Sequence, residues 1–305
     1  MTILDEIDRI QEISAFIAKI EDITKKARVQ KAFDIAIQNL HLLKGNFNTE
    51  LPDPTFRIVR SNTRNAGAMP FLYIEISDSL IDHCFTAKYQ TLDVVFSHGY
   101  PKNFDYEFMP QAMLAWVIAH ETAHVYRRHD EVARIHTKSP LLVSQALEND
   151  ADLLASAYVF RILQNSLDLD ESDDSHLKKG GEIGIRQLAL YCIFWALRTL
   201  VESGNVGTHL PVGARFFSIA QKFASLGVSP YTVQPGKLMT PAMKQRHLVL
   251  LNSIARFENL FLKANPNSAV DIRKDWTSHS QAVKNVERKW GHMRADIRRL
   301  SNGPA

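Results

Sequence analysis

Cysteine is almost missing from the 305-residue chain: there are two, Cys84 and Cys192, far apart and in no Cys-x-x-Cys pair. That excludes a disulfide scaffold and a thiolate zinc site. Any metal must then be held by histidines and carboxylates. Glycine (13) and proline (12) are too few for a collagenous or low-complexity chain. Charge of one sign is also scarce, at +3 with the histidines neutral. No nucleic-acid partner is expected from so small a surplus. Long apolar runs are lacking as well. The most apolar stretch, Leu188 to Leu197, ends at Arg198 and falls short of the roughly 18 residues of a membrane span. It reads as a buried helix, so no transmembrane segment is expected. The opening MTILDEIDRIQEI has neither the basic start nor the unbroken apolar core of a signal peptide. What is present, 45% hydrophobic and 23% charged residues, describes a soluble, cytoplasmic protein with one large domain and helical additions.

Isoleucines 3, 7, 10, 13, 17 and 20 recur at three- and four-residue spacing, and a second apolar pattern runs from Ala32 to Leu43. Both predict helices, closed by Gly45 and a turn-rich stretch to Pro54. Phe56 to Val59 reads as a short strand, residues 62–70 as turns, and Phe71 to Ile76 as a strand bounded by Pro70 and Ser77-Asp78. Asp78 is placed to cap a helix from Ser79. Further helices are predicted from Pro110 to about Arg128, then over 141–163, 182–203, 212–225, 241–264 and 276–300. The expected fold class is α+β and mostly helical, with a small antiparallel sheet. The expected division is an N-terminal helical hairpin (1–50), a core (51–225) and a C-terminal helical extension (226–305). From Asp271 onward eight Lys and Arg face four Asp and Glu, with Trp276 and Trp290 among them. This reads as an amphipathic terminal helix whose tryptophans pack on the domain.

The chemistry-bearing stretch is His120-Glu121-Thr122-Ala123-His124. Helix residues four apart share a face, so His120 and His124 can both present an imidazole nitrogen to one Zn2+. Glu121 lies beside them, where a carboxylate can take a proton from a water activated by zinc. A bare match of this kind also fits two ordinary histidines. Here the motif falls within an apolar helix, where such residues are costly to bury without partners. Downstream, Glu148 and Asp152 are again four apart on a separate predicted helix. One can ligate the metal while the other accepts a hydrogen bond from a ligand histidine. His129, five residues beyond His124, points to a different helix sector. Asp130 has no glycine before it to turn the chain back, so both read as bystanders.

Several segments, in order, resemble the gluzincin metallopeptidases, in particular the family of the CAAX prenyl protease and the heat-shock zinc endopeptidases. Asn65-Ala66-Gly67-Ala68-Met69-Pro70 resembles that family's Asn-Ala-aromatic-Ala-x-Pro turn, with Gly67 for the aromatic residue. Tyr73 to Ser77 resembles its edge strand and Leu80-Ile81 the start of the next helix. Trp116 to His124 resembles its active-site helix and Glu148 to Asp152 its Glu-x-x-Ala-Asp helix. Thr208-His209-Leu210-Pro211 with Arg215 resembles its Thr-His-Pro segment. The resemblance covers about half of the chain, residues 65 to 215, and implies a soluble, divergent member with a zincin-like core.

The resemblance implies zinc held by His120, His124 and Glu148, with Asp152 orienting His120 and Glu121 as general base. A protein or peptide substrate would lie extended along the strand that carries Tyr73, Ile74 and Glu75. His209 leads the candidates for stabilising the oxyanion, with Arg215 and Tyr158 behind it, and Arg215 also fits substrate binding or a carboxylate partner. Two alternatives accompany this metalloendopeptidase reading: a zinc-binding regulatory or binding module on a peptidase-like fold, and a latent phage-defence-type protease acting on a specific host protein. In the latter, residues 86–108 could cover the cleft.

Overall fold

The computed structural model describes residues 10–44, 51–69, 73–86, 104–168, 176–202, 209–226, 239–268, 270–274 and 276–301. The chain begins with a short strand β1 (Ile10–Glu12) and the helices α1 (Ile13–Ala18), α2 (Ile23–Gln38) and α3 (Leu40–Lys44). Three strands follow: β2 (Thr55–Val59), β3 (Ala66–Met69) and β4 (Tyr73–Ser77). The remainder is helical: α4 (Asp78–Thr86), α5 (Phe104–Tyr126), α6 (His129–Ile135), α7 (Pro140–Asp168), α8 (His176–Glu202), α9 (Val212–Ser225), α10 (Pro241–Ala264) and α11 (Trp276–Ser301). The α+β, mostly helical class is as expected.

The sheet differs from the expected antiparallel one. Its order is β1-β2-β4-β3, with β2 and β4 parallel and both outer pairs antiparallel. After β2 the chain returns as β3 two strand positions away, and the next reversal drops β4 into the slot between. β4 thereby becomes an inner strand, with Tyr73, Ile74 and Glu75 flanked by Thr55, Phe56 and Arg57 on one side and Met69, Ala68 and Gly67 on the other. The edge is β3, within the stretch expected to be turns. Ala66-Gly67-Ala68-Met69 has weak strand propensity, and pairing with β4 overrides it. One residue of the N-terminal helical pattern is corrected too: Ile10 belongs to β1, paired with Val59, rather than to a helix face.

α5 organises the interior. From Met109 to Ala119 every residue is buried, as expected of a helix apolar on all sides. α2, α7 and α8 pack around it, and β3 lies against its C-terminal half. α8 contains the stretch expected to be a buried helix. Its window Ile183–Leu200 reaches mean hydropathy 1.2 over 18 residues, and 78% of it is buried by the rest of the fold. A smaller core of Val132, Leu147, Ala214, Val283, Val286 and Met293 joins α6, α7, α9 and α11. Trp276 and Trp290 pack against these cores as expected. The C-terminal helices thus share the cores that support α7.

Candidate functional site

The donor atoms meet in a cleft of about 640 Å³ between α5, α7 and β3. His120 and His124 lie one turn apart on α5, and α7 runs alongside to bring Glu148 opposite them. Trp116 Nε1 donates to Ser156 Oγ (3.3 Å), a polar tie between the two buried helix faces. Three atoms converge: His120 Nε2 is 3.2 Å from His124 Nε2 and 3.2 Å from Glu148 Oε2, and His124 Nε2 is 3.6 Å from the same oxygen. His209, at the start of the segment leading into α9, places Nε2 2.8 Å from Glu148 Oε2. Its ring stacks on that of His120 at 6.3 Å. His120, Glu148 and His209 also form a group able to hold a metal ion, with one atom of each within 4.8 Å of the others. The structure therefore brings together His120, His124, Glu148 and His209.

Glu121 borders the same cleft, and its Oε2 accepts the Ala68 N–H at 2.8 Å. That N–H points away from β4, so Ala68, and by strand alternation Ala66, face outward along the open edge. Tyr73, Ile74 and Glu75 cannot serve as the expected peptide-binding strand. Both sides of β4 are already paired, Ile74 is fully buried, and Arg57 stacks 3.5 Å over the Tyr73 ring. The edge that borders the cleft is β3.

Behind His120, Asp152 Oδ1 lies 3.0 Å from Nδ1, close but poorly angled for a hydrogen bond. Arg215 on α9 donates to both Asp152 oxygens at 2.7 Å. Arg215 is buried, and these two bonds commit its guanidinium to Asp152. The substrate-binding role expected for it is replaced by a carboxylate clamp. Tyr158 is excluded as an oxyanion donor because it is buried and its hydroxyl donates to the Ala36 carbonyl.

Burial alone would depress the His120 pKa, but the carboxylates of Asp152 and Glu148 outweigh it and raise it to about 10. Burial pushes Glu148 up, and the histidines around it, His124 first, pull it well below the usual carboxylate range. Burial likewise raises Asp152, while Arg215 and His120 hold it down at about 2. A carboxylate held ionised beside clustered imidazoles is a donor set in which a metal ion would compete with protons.

His129 is not the bystander expected. α5 stops at Tyr126, and Arg128 takes the left-handed conformation (φ 52°, ψ 45°) before α6 starts at His129. A non-glycine residue adopts that shape at a cost of roughly 1 kcal/mol. Arg128 Nε donates to Glu131 Oε1 (2.6 Å) and Nη1 to the Leu300 carbonyl (3.4 Å), which hold the turn closed. The chain reverses without glycine and sends His129 back to the site. Its Nδ1 sits 2.9 Å from His124 Nδ1, and its Nε2 3.3 Å from Asp150 Oδ2. Burial pushes its pKa down to about 4, so it is neutral near pH 7. Asp130, by contrast, is exposed, paired with Arg134 at 3.2 Å and apart from the donor atoms, as expected. Most of the segment 86–108 expected over the cleft lies outside the described residues.

No local signal marks His129 or Asp150. Each step along a helix turns about 100°, so Asp150 leaves the face shared by Glu148 and Asp152. It becomes useful only because α6 wraps past that flank. Compared with known proteins, the chain matches no family model, no curated protein and no solved structure.

Proposed function

We propose that the protein is a zinc-dependent metalloendopeptidase of the gluzincin type, with a zincin-like core and a cytoplasmic protein or peptide as substrate. The observation that carries this reading is the convergence of His120 Nε2, His124 Nε2 and Glu148 Oε2 at separations of 3.2, 3.2 and 3.6 Å. Tetrahedral zinc with bonds of about 2.0–2.2 Å needs neighbouring donors about 3.3–3.6 Å apart. The donor types, two imidazoles and a carboxylate, also suit that ion. When bound, zinc would supply the Lewis acidity that activates water and polarises a peptide carbonyl.

The chain's own residues supply the rest. Glu121, held through Oε2 by the Ala68 N–H, keeps Oε1 to take a proton from water and pass it to the leaving amine. The outward N–H and carbonyl of Ala66 and the carbonyl of Ala68 offer an extended peptide main-chain pairing with little demand on its sequence. With Glu148 committed to zinc, His209, whose Nε2 now faces Glu148 Oε2 at 2.8 Å, would turn its N–H to the oxygen of a tetrahedral intermediate. Purified protein is expected to hold about one zinc per chain, and Glu121→Gln to keep the zinc while losing cleavage of an unfolded protein such as casein. Stoichiometric zinc with no cleavage in the wild type would sink the protease reading.

A second reading is favoured by the 2.8 Å contact between His209 Nε2 and Glu148 Oε2. If His209 were a fourth protein ligand, the site would be closed, as structural zinc sites are, and the protein a zinc-binding module. His209→Ala separates the two. Unchanged zinc affinity with impaired cleavage supports the protease, and loss of zinc supports the module.

A further inference from the structure

We propose that His129, backed by Asp150, is a positioning residue that keeps the proton of His124 on Nδ1 and so presents its Nε2 as a bare donor. The inference rests on the reading that His120, His124 and Glu148 hold a metal ion. It assigns a task to a histidine that lies outside the His-Glu-x-x-His stretch and that the spacing of the motif does not reach.

Geometry carries it. Two Nδ1 atoms 2.9 Å apart can share one proton only, because two N–H groups would collide there. Asp150 Oδ2 lies 3.3 Å from His129 Nε2 and 3.4 Å from Arg127 Nε, so it is the acceptor that both face, and the His129 proton sits on Nε2. With its Nε2 turned to Asp150, the His129 ring offers Nδ1 as the acceptor of the pair, and the shared proton belongs to His124 Nδ1. The Nε2 lone pair of His124 is left facing His120 Nε2 and Glu148 Oε2. With the proton on the other side, His124 Nδ1 would be the acceptor and its Nε2 would aim an N–H at the site, unable to ligate. Nothing else in the described structure competes for His124 Nδ1, and His129 is buried and held edge-on to it, with ring planes at 86°. The left-handed turn at Arg128 points the same way. A straight continuation of α5 would carry His129 off to another sector, and the chain reverses there instead.

The relay makes a prediction that mere packing does not. Gln can replace both functions of His129: its Oε1 can accept from His124 Nδ1 and its NH₂ can donate to Asp150. Leu fills a similar space and can do neither. Zinc affinity of the full chain, measured by competition with a chromophoric chelator, is expected to fall 10- to 100-fold in His129→Leu. His129→Gln is expected to remain within a few-fold of wild type. Metal-free melting temperatures of the folded variants show whether packing has changed. If His129→Leu does not fold, Asp150→Ala tests the same relay one step further out, with about a tenfold loss expected.

Wild-type affinity in His129→Leu, or in Asp150→Ala where that is the variant read, would overturn the relay. So would a Gln variant as weak as the Leu variant. The metal reading fails separately, and takes the relay with it, if wild type binds no zinc or if His124→Ala binds it as tightly as wild type.

Discussion

His120 and His124 sit one turn apart on α5, yet their second nitrogens are held by opposite chemistries. Behind His120 stands a buried ion pair, Asp152 clamped by both arms of Arg215. Behind His124 stands a neutral imidazole, His129, with Asp150 beyond it. The first support raises the basicity of its histidine through a charge in direct contact, and the second sets a tautomer through a neutral ring that stands between the histidine and the Asp150–Arg127 pair. A cluster of two imidazoles around one carboxylate needs both: one strong donor close to a buried anion, and one whose lone pair faces the right way.

The largest effect is expected from breaking the charged support. Arg215→Met takes the guanidinium from the buried Asp152 and leaves it with His120 beside it, at a cost of about 3–5 kcal/mol by urea unfolding. The double variant Asp152→Leu/Arg215→Met should recover much of that. The two supports should also separate by pH in chelated protein, each worth on the order of 2–3 kcal/mol. His129 has a folded pKa of about 4 against an ordinary value of 6.5. The unfolded chain therefore binds a proton first, and stability falls as pH drops from about 6.5 to 4. Asp152, at about 2 against 3.8, gives stability that is present above pH 4 and is lost as pH falls through 2. His129→Gln should remove the upper step and leave the lower one.

Next in size, Asp152→Asn is expected to weaken zinc binding 10- to 100-fold, about 1.4–2.7 kcal/mol, by chelator competition. The smallest effect is expected at the turn. Arg128→Gly relieves the left-handed strain but loses a half-exposed pair with Glu131, so unfolding stability should stay within about 1 kcal/mol of wild type. Arg128→Val, branched at Cβ, should be clearly destabilised by the same measurement.

The same two supports show how far the sequence reads. His120, Glu121, His124, Glu148 and Asp152 are legible because a helix puts residues four apart on one face, and all five lie within two regular helices. The limits of α9 and α10, set by Pro211 and by Thr240 before Pro241, are legible for similar local reasons. His129 and Asp150 are not, since their meeting depends on a backbone reversal at an arginine, for which no turn residue gives notice. The edge strand is not legible for a related reason. Phe71 to Ile76 has strong strand composition, but which strand lies at the edge is decided by the order in which β2, β3 and β4 pair. Arg215 lay within reach as a carboxylate partner, and only the packing of α9 on α7 selects that role over contact with substrate.

The central claim is that His120, His124 and Glu148 form one metal site. Elemental analysis of purified wild type beside His120→Ala and Glu148→Ala tests it directly. About one zinc in the wild type and none in either variant is the predicted result. A wild type without zinc, or either variant that keeps a full equivalent, would contradict it.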